Sequence, residues 1–524
     1  SKKENKYQLK NSKYLLYGLA SSGKTEVYIE SIKKLRKNEQ ALILVPELTL
    51  TPQAIERYGN HFDLEKIAIL TSKIPKGQFY KNWQDIRSGQ SKIIIGTRIA
   101  VLAPFKNLKL VVVDEEQDIS FKQWDMHPRY DARTVSEKLS EIFKAKIIRG
   151  SATPSIESYF KAENGKYKKL KLSRIKNKPV SEIEVIDMKK EKWKKNYSPI
   201  SKLLESEISY TLKNGLQVIL FINRQGMSAF SICNECKTVL KCPKCDRALV
   251  YTDSGNYKCL HCNFKSDILS NCQKCHGINF RNIGLGTQKV EKIIHELFPL
   301  AITKRADFES MKKSGQQDEL YQKFSNKKID ILIGTQMITK GWDLPNVGLI
   351  GIIDADSMLD IPDFRTNERA FQHVLQVSGR TGRVGSKFNG KVILQTFDPE
   401  NETIKLMAEM NFEKLFSVEI SEREIFNYPP FGKIIKLTHR NRNNENLEKV
   451  TSEIYYKLSK LISGSENFKL SSPQDPLVPK IRGVFKKHLI LIHKEDKFLP
   501  PKIKNFLKKL SGDWIIDIDP ISIM

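Results

Sequence analysis

A run of glycine, serine and lysine near the start of the chain has the composition of a phosphate-binding loop. The sequence G-L-A-S-S-G-K-T spans residues 18–25, follows an apolar run that predicts a strand and precedes a helical pattern. In this setting Gly18 and Gly23 let backbone N–H groups approach phosphate, and the helix N-terminus favours anions. Lys24 is expected to reach the β- and γ-phosphates, and the Thr25 hydroxyl to bind Mg²⁺. The segment therefore predicts a site for a nucleoside triphosphate.

A second apolar run, 110–113, ends in the acidic sequence D-E-E-Q. The tip of a strand next to a phosphate-binding loop can deliver carboxylates to the metal side of that loop. We expect Asp114 to hold the Mg²⁺ ion and Glu115 to orient and polarise the attacking water. Carboxylates after a strand also serve as caps, but together with the upstream loop they indicate an enzyme that hydrolyses nucleoside triphosphates.

A pair of arginines in the second half of the chain follows a predicted helix at 368–377. The sequence Q-V-S-G-R-T-G-R spans 376–383, and its arginines could enter a neighbouring nucleotide site as arginine fingers, which in other enzymes raise the rate by about 10³ to 10⁵. A solvated basic turn is the alternative. Between two further predicted strands lies G-T-Q-M-I-T-K-G-W-D, at 334–343. These two motifs complete the predicted set with Gln376, Arg380 and Arg383 as catalytic residues and Gly341 and Asp343 as nucleotide contacts.

All eight cysteines lie in four C-x-x-C pairs. The two-residue spacing lets both thiolates of a pair reach one tetrahedral ion, so that four pairs supply the ligands for two Zn²⁺ ions. Spacing alone leaves three ways of joining the pairs into two sites. A set of cysteines confined to one cluster fits metal binding in a reducing cytosol better than a disulfide framework. The predicted ligands are Cys233, Cys236, Cys242, Cys245, Cys259, Cys262, Cys272 and Cys275.

Small polar residues at the ends of several predicted strands indicate contacts with a nucleic acid backbone. Such loops present backbone N–H groups and hydroxyls with little bulk, which suits the binding of a sugar-phosphate chain. Plain turn chemistry explains each motif equally well when it is taken alone. The predicted contacts of this kind are Thr49, Thr97, Arg98, Thr335 and Gln336.

Aromatic and cationic residues alternate in the segment 118–133. Aromatic rings can stack on bases while cations hold phosphates, and this combination binds single strands with little sequence preference. Ordinary core aromatics are the alternative. The predicted DNA contacts in this segment are Phe121, Lys122, Trp124, Arg129, Tyr130 and Arg133.

The composition agrees with a nucleic acid partner. The formal net charge is +28, from 88 Lys and Arg against 60 Asp and Glu, which attracts a polyanion. A generally lysine-rich proteome would give the same balance. The length of 524 residues suggests three or four domains. No apolar run approaches the roughly 18 residues that a membrane span requires.

The order of these motifs resembles that of superfamily-two helicases. The segments G-K-T-E-V-Y, L-V-P-E-L-T-L-T-P-Q, G-T-R-I-A-V-L-A-P-F and Y-P-P-F, with the four cysteine pairs, resemble the PriA family of replication-restart helicases, also called primosomal protein N′. The resemblance covers nearly the whole chain. It implies an α/β fold with two RecA-like lobes that clamp ATP, a two-zinc cysteine-rich insertion in the second lobe and a C-terminal α+β domain.

On this basis we place the first lobe at 1–175, a lysine-rich connection at 176–200, the second lobe at 201–400 with the zinc insertion at 233–278, and the C-terminal domain at 401–524. In the C-terminal domain, the pattern predicts helices at 446–462 and 499–510 and strands at 489–492 and 514–518.

The resemblance also implies an activity and partners. It implies an ATP-dependent DNA helicase, with ATP, Mg²⁺ and two Zn²⁺, that moves 3′ to 5′ and opens stalled forks for replication restart. Single-stranded and forked DNA, primosome proteins and single-strand-binding protein are the implied partners, and we expect a cytoplasmic monomer that does not contact the membrane. The outer cysteine pairs would hold one zinc ion and the inner pairs the other. A translocase that never unwinds, or a zinc-dependent binding scaffold without motor activity, are the alternatives.

Three departures from the family pattern stand out. Ser21 replaces a usual glycine in the phosphate-binding loop, and Gln117 replaces a usual histidine at the end of D-E-E-Q. An amide can still donate and accept hydrogen bonds, so we expect altered rather than lost contact with the γ-phosphate. The given sequence starts shortly before the loop. We therefore expect the family's N-terminal 3′-end-binding and winged-helix domains to be missing.

Overall fold

The computed structural model describes most of the chain in two compact units. The first unit comprises 1–221, 300–353 and 368–417, and the second comprises 222–299, 354–367 and 418–524. The description excludes residues 1–11, 19–21, 48–51, 173–181, 224–229, 234, 237–239, 241, 244–248, 252–256, 259–263, 267–270, 273, 284–286, 308–314, 336–341, 343, 345, 362, 382–389, 477–478 and 495–498.

The helices and strands are numbered separately along the chain. The helices are α1 (Lys24–Lys33), α2 (Pro52–Gly59), α3 (Lys76–Ser88), α4 (Ala132–Ile142), α5 (Ile156–Glu163), α6 (Met188–Trp193), α7 (Lys202–Lys213), α8 (Thr287–Leu297), α9 (Gln316–Ser325), α10 (Asp356–Leu359), α11 (Thr366–Ser378), α12 (Glu402–Ala408), α13 (Phe412–Phe426), α14 (Asn444–Ile462) and α15 (Pro501–Lys508). The strands are β1 (Lys13–Tyr17), β2 (Gln40–Leu44), β3 (Ile67–Leu70), β4 (Ile93–Gly96), β5 (Leu108–Asp114), β6 (Lys146–Ser151), β7 (Lys168–Lys171), β8 (Ile183–Asp187), β9 (Gln217–Phe221), β10 (Phe230–Cys233), β11 (Val250–Tyr251), β12 (Tyr257–Lys258), β13 (Lys265–Ser266), β14 (Phe280–Ile283), β15 (Thr303–Ala306), β16 (Ile331–Gly334), β17 (Val347–Ile352), β18 (Lys391–Thr396), β19 (Lys433–Asn441), β20 (Phe468–Leu470), β21 (Lys480–Ile481), β22 (Val484–His493) and β23 (Trp514–Ile518).

The first unit contains two parallel sheets. One has the strand order β3-β4-β2-β5-β6-β1-β7 and the other β15-β16-β9-β17-β18-β8. Every residue of β2 and β4 is buried, as is usual for parallel strands that are covered on both faces. The alternation along β5 sends Val111 and Val113 into one core cluster and Leu110 and Val112 into another. The predicted α/β fold with two RecA-like lobes is confirmed.

The parallel arrangement brings several predicted motifs to one edge of the first sheet. Strands of the same direction end at the same edge, and ligands bind beyond the carboxyl ends of such strands. β1 ends before the phosphate-binding loop, β4 before Thr97, and β5 at Asp114, while β6 ends at Ser151. The fold therefore explains why motifs far apart in sequence can form one site.

The second unit contains the cysteine-rich insertion and the C-terminal domain. In the insertion, β10 pairs with β14, and β11, β12 and β13 form a small antiparallel sheet. The C-terminal sheet has the order β20-β22-β19-β23, with β21 paired to β22, and its described pairings are antiparallel. The predicted C-terminal α+β domain is confirmed. The domain boundaries given above remain predictions.

The described helices do not include one suited to the membrane. In the part of the chain that the structure covers, none combines the length and the apolar character that a bilayer crossing requires.

A buried histidine in the C-terminal sheet has a depressed pKa. His488 lies on β22 and is 3% exposed. Burial, and after it the nearby Lys436 ammonium, lower the pKa of His488 to about 4, against the opposing effect of Asp475. Lys436 is itself held in place, because its Nζ donates to the carbonyl oxygens of Ser522 at 2.7 Å and Met524 at 2.9 Å.

This histidine predicts a loss of stability in acid. Because the unfolded pKa is near 6.5, the folded chain binds fewer protons than the unfolded chain between about pH 4 and 6.5. The contribution of His488 to the free energy of unfolding is then complete above about pH 6.5 and falls by roughly 3 kcal/mol as the pH drops to 4. The variant His488→Gln should flatten this dependence in urea unfolding followed by tryptophan fluorescence. An exposed-site control, His61→Gln, should keep it, and equal pH slopes for His488→Gln and the unmodified chain would contradict the assignment.

Candidate functional site

The lysine of the phosphate-binding loop forms a hydrogen bond with the first residue of the loop. Lys24 is 8% exposed, and its Nζ donates to the Gly18 carbonyl oxygen at 2.8 Å. Gly18 N in turn donates to the Ser151 carbonyl oxygen at 3.2 Å, which ties the loop to β6. Gly23 precedes α1 with a φ of 90°, a conformation that favours glycine. Thr25 lies in the first turn of α1, where a hydroxyl can reach an ion held at the helix N-terminus.

Asp114 is held by a tyrosine of the helix that follows the loop. The Tyr28 hydroxyl donates to Asp114 Oδ1 at 2.9 Å, and the tyrosine is fully buried. Burial, and after it the Glu115 carboxylate, raise the pKa of Asp114 to about 6, whereas Lys24 opposes the shift. A Cβ atom at Gly150 would lie 1.6 Å from the Tyr28 hydroxyl oxygen, so this contact requires glycine there. Sequence reasoning missed Tyr28, although it follows Lys24 by one helical turn.

Glu115 is oriented by a chain of hydrogen bonds. Gln117 Nε2 donates to Glu115 Oε2 at 2.7 Å, and the Ser151 hydroxyl donates to Gln117 Oε1 at 2.6 Å. Thr153 N donates to the Ser151 hydroxyl oxygen at 2.9 Å. Glu115 itself has a φ of 48°. The amide of Gln117 thus connects the acidic motif to the turn after β6 by donating on one side and accepting on the other.

Glu116 is a buried carboxylate that sequence reasoning left without a role. It is 0% exposed and accepts hydrogen bonds from Ser155 N at 2.7 Å and from the Ser158 hydroxyl at 2.6 Å. Arg149 Nη1 lies 3.7 Å from Oε2 of Glu116 and also donates to the Ser158 hydroxyl oxygen at 3.0 Å. These contacts fix the acidic motif against the start of α5.

Helix α11 contacts the turn between β6 and α5. It comes from the part of the chain that forms the second sheet. Ile156 N donates to Glu368 Oε1 at 3.1 Å. Gln372 Nε2 lies 3.4 Å from the carbonyl oxygens of Thr153 and Pro154, and both Glu368 and Gln372 are nearly fully buried. They lie one helical turn apart on the same side of α11. The sequence alone does not mark them, because other polar residues of this helix, Thr366 and Ser378, are buried as well.

The predicted catalytic residues of α11 lie at its C-terminal end. Gln376 is half-buried one turn beyond Gln372. Arg380 follows the helix, and its guanidinium donates to the Trp342 carbonyl oxygen. Arg383, Gly341 and Asp343 lie outside the described residues.

Of the predicted DNA contacts, Trp124 is exposed, and Arg98 and Arg129 beside it are half-buried. Trp124 is 59% exposed at the tip of a small hairpin in which Gln123 N donates to the Tyr130 carbonyl oxygen at 2.8 Å. Arg129 Nε donates to the Trp124 carbonyl oxygen at 3.0 Å. Arg98 Nη1 donates to the Lys122 carbonyl oxygen at 3.3 Å. These side chains lie together on one hairpin and the 3₁₀ turn next to it.

Four other predicted contacts are buried, and Arg133 is half-buried. Phe121 is 0% exposed and belongs to the apolar core, so that its ring does not face solvent. Lys122, Thr97 and Thr335 are each less than a tenth exposed. Arg133 forms a two-point ion pair with Asp131, whose carboxylate raises the pKa of Arg133 against the effect of burial. Thr49 and Gln336 lie outside the described residues.

The outer cysteine pairs form a metal-binding cluster. The Sγ atoms of Cys233, Cys236, Cys272 and Cys275 all lie within 4.8 Å of one another. A tetrahedral zinc ion with Zn–S bonds of about 2.3 Å places its sulfur ligands roughly 3.8 Å apart, so that the cluster fits the ion. Lys274 N lies 3.5 Å from Cys272 Sγ, and such amide contacts orient a thiolate. This arrangement agrees with the outer pairing implied by the family resemblance.

The inner pairs are described only at one position. Cys242 is fully buried in a small cluster with Leu240 and Leu249. Cys245, Cys259 and Cys262 lie outside the described residues.

Two helicase family models match the two parts of the chain that contain these motifs. The model of the DEAD/DEAH box helicase family matches residues 6–161, and that of the helicase conserved C-terminal domain matches residues 280–385. A solved structure of RecG bound to a three-way DNA junction aligns with 78% of this chain and 43% of that chain, at 15% identity and a TM-score of 0.46.

Two curated relatives carry the name replication restart protein PriA. The protein from Bacillus subtilis (strain 168) is 35% identical over 500 residues, which cover 94% of this chain and 61% of that protein. The protein from Chlamydia trachomatis serovar D is 35% identical over 518 residues, which cover 97% of this chain and 68% of that protein. The chain thus spans about three fifths of the length of the Bacillus relative.

The number of zinc ions per chain tests the role of the cysteine cluster. We expect two zinc ions per chain, and we expect Cys272→Ser to remove one of them because the outer cluster loses a ligand. Metal analysis after gel filtration measures this. Cys242→Ser is the matched variant, and it should remove the other ion while leaving the outer cluster intact. Because zinc contributes about 10 to 16 kcal/mol to the folding of such units, the Cys272→Ser insertion should also be cut faster by trypsin. Unchanged zinc content in Cys272→Ser would contradict the assignment.

Proposed function

Because this chain belongs to the PriA family of replication restart proteins, we propose that it is the motor part of an ATP-dependent DNA helicase. It moves 3′ to 5′ along one DNA strand, opens the duplex at stalled forks and so prepares them for replication restart. It works as a monomer in the cytoplasm. Primosome proteins and single-strand-binding protein are its expected partners.

The observation that carries the proposal is the convergence of separate motifs on the tip of β5. Asp114 is bound by Tyr28 of α1, Glu115 is bound through Gln117, and Glu116 is bound at the start of α5. Adjacent carboxylates at a strand tip that only caps a turn do not need separate connections to α1, to β6 through Gln117 and to the start of α5. An ATP site that must respond to the rest of the molecule does need such connections.

The residues of the chain have distinct roles at this site. ATP with Mg²⁺ supplies the transferred phosphoryl group and the energy of the step when bound. Lys24 and Thr25 would hold the phosphates and the ion, together with Asp114, which the Tyr28 hydroxyl keeps in place. Glu115 is aligned by Gln117 and would hold the attacking water. Arg380 and Arg383 would stabilise negative charge from the second lobe, as arginine fingers do.

The exposed hairpin offers a contact for single-stranded DNA. Trp124 can stack on a base while Arg129 and Arg98 hold phosphates. The hairpin is connected to the ATP site, because Arg133 at its base donates to the Glu116 carbonyl oxygen at 3.0 Å. This bond supports a route by which DNA binding stimulates hydrolysis.

The zinc-binding insertion acts as a rigid platform or wedge. Two zinc ions, one on the outer cysteines and one on the inner cysteines, would fix its short strands, which are too few to be stable alone. A platform of this kind can separate strands or hold a partner protein.

The experiment that tests the proposal is ATP hydrolysis by the zinc-loaded chain with and without single-stranded DNA, at low and moderate salt. We expect stimulation by DNA. Lys24→Ala should lower the rate by about 10² to 10³, the usual effect of removing one charge-stabilising donor. Lys33→Ala is the matched control, because Lys33 lies on the same helix with a side chain that is 43% exposed.

The outcomes separate the alternatives. DNA binding without any hydrolysis would overturn the motor and favour the scaffold. Hydrolysis that DNA stimulates, without strand separation on partial duplexes of either overhang, would favour a translocase that does not unwind. Separation that requires a 3′ overhang on the loading strand supports the proposed helicase and its direction.

A further inference from the structure

Helix α6 and the turn that follows it carry two exposed aromatic rings in a basic segment. Trp193 and Tyr197 are each 79% exposed, a large fraction for rings of this size. Lysine side chains exposed on the same segment surround them in sequence, at Lys189, Lys190, Lys192, Lys194 and Lys195. We call residues 189–197 the aromatic platform.

The platform is held in one conformation by a buried glutamate. Glu191 is 9% exposed, and its Oε2 atom accepts hydrogen bonds from Asn196 Nδ2 at 2.6 Å and from Lys202 N at 2.9 Å. Asn196 Nδ2 also donates to the Ile200 carbonyl oxygen at 3.1 Å, and Asn196 Oδ1 accepts from Ser198 N at 3.1 Å. The turn between the two rings is therefore held by hydrogen bonds within it, although the rings themselves face solvent.

The platform is also anchored to the second sheet. Gln395 of β18 donates through Nε2 to the Pro199 carbonyl oxygen at 2.7 Å and accepts from Ser201 N at 2.8 Å. Lys192 Nζ lies 4.3 Å from the centre of the Phe397 ring, just beyond the end of the same strand. A rigid base lowers the entropy that the platform loses when it binds a ligand.

The platform carries net positive charge, because its five lysines outnumber Glu191 and the adjacent Asp187. Asp187 caps α6 by accepting from Lys189 N and Lys190 N, and Glu191 is buried as described. Glu400, which faces Lys190, is paired with Lys405 at 2.7 Å. The lysines of the platform thus outnumber the nearby carboxylates and give an anionic ligand a positively charged surface.

The platform lies on the edge of the second sheet that carries a predicted DNA contact. β8 ends immediately before α6, and β16 ends immediately before Thr335. All pairings between β8 and β16 are parallel, so both ends lie on the same edge, separated by three intervening strands. With about 4.8 Å between neighbouring strands, the separation is roughly 19 Å, a distance that a few nucleotides cover.

We propose that the aromatic platform is a second binding site for single-stranded DNA, separate from the Trp124 hairpin. Trp193 and Tyr197 stack on successive or nearby bases, while Lys189, Lys190 and Lys194 hold the phosphates. The site extends the DNA path along the second lobe. The choice of DNA over RNA rests on the proposed function, whereas the stacking of bases on the platform does not.

The test measures the affinity of the full zinc-loaded chain for fluorescent oligo(dT) without nucleotide, by anisotropy. Trp193→Ala and Tyr197→Ala should each weaken binding at least about fivefold, the low end of the effect of removing one stacked base. The triple variant Lys189→Gln/Lys190→Gln/Lys194→Gln should reduce the slope of log K against log salt by about 2, at about 0.7 per lost phosphate contact. Tyr210→Ala is the matched control, because Tyr210 on α7 is 67% exposed outside the platform.

The binding results that would overturn the platform differ from the hydrolysis result that would contradict the proposed motor. Unchanged oligo(dT) affinity in the double variant Trp193→Ala/Tyr197→Ala, with thermal unfolding like that of the unmodified chain, overturns the platform. An equal loss for blunt duplex also overturns it, because stacking requires unpaired bases. A loss confined to oligo(U) overturns DNA as the ligand. ATP hydrolysis without DNA should be the same in all variants, and its absence from the unmodified chain would contradict the motor alone.

Discussion

The first turn of α5 is the point at which two buried carboxylates hold the first unit together. Ser155 N donates to Glu116, and the next amide, Ile156 N, donates to Glu368. The first N–H groups of a helix have no partner within it and carry the positive end of the helix dipole, so both carboxylates are stabilised there. Loss of either one leaves a buried donor unpaired, at a cost of about 1 to 3 kcal/mol. The tip of β5 and helix α11 are thereby attached to the same turn.

The geometry of the proposed ATP site depends on this attachment. Ser151, at the end of β6, holds Gln117, which in turn holds Glu115. The backbone of the same turn contacts Gln372 through the carbonyl oxygens of Thr153 and Pro154. A shift of α11 would therefore move this turn and, through Gln117, Glu115. Gln117 suits this role because its nitrogen donates to Glu115 and its oxygen accepts from Ser151.

The sequence predicts much of this site because its motifs follow apolar strands of one direction. Lys24, Asp114 and Glu115 are recognisable from residue type and position alone, and the parallel sheet brings them to one edge. The contacts of Tyr28, Glu116 and Glu368 are not recognisable in this way, because each depends on which residue tertiary packing places opposite. Phe121 illustrates the converse: an aromatic between cations has the pattern of a base-stacking residue, but burial in the core decides its environment. In the C-terminal domain, the predicted helix at 446–462 and strand at 514–518 match α14 and β23 closely, because their apolar periodicity is strong.

We infer that, in the proposed motor, the attachment of α11 to the first turn of α5 couples hydrolysis to movement. The most direct measurement is the number of base pairs separated per ATP hydrolysed by Glu368→Ala, beside Glu402→Ala, an exposed glutamate on α12. Glu368→Ala should still hydrolyse ATP but separate fewer base pairs per ATP, because it loses hydrogen bonds to a charged group that are each worth roughly 1.5 to 3 kcal/mol. A ratio equal to that of Glu402→Ala, with similar thermal unfolding of the two variants, would contradict it.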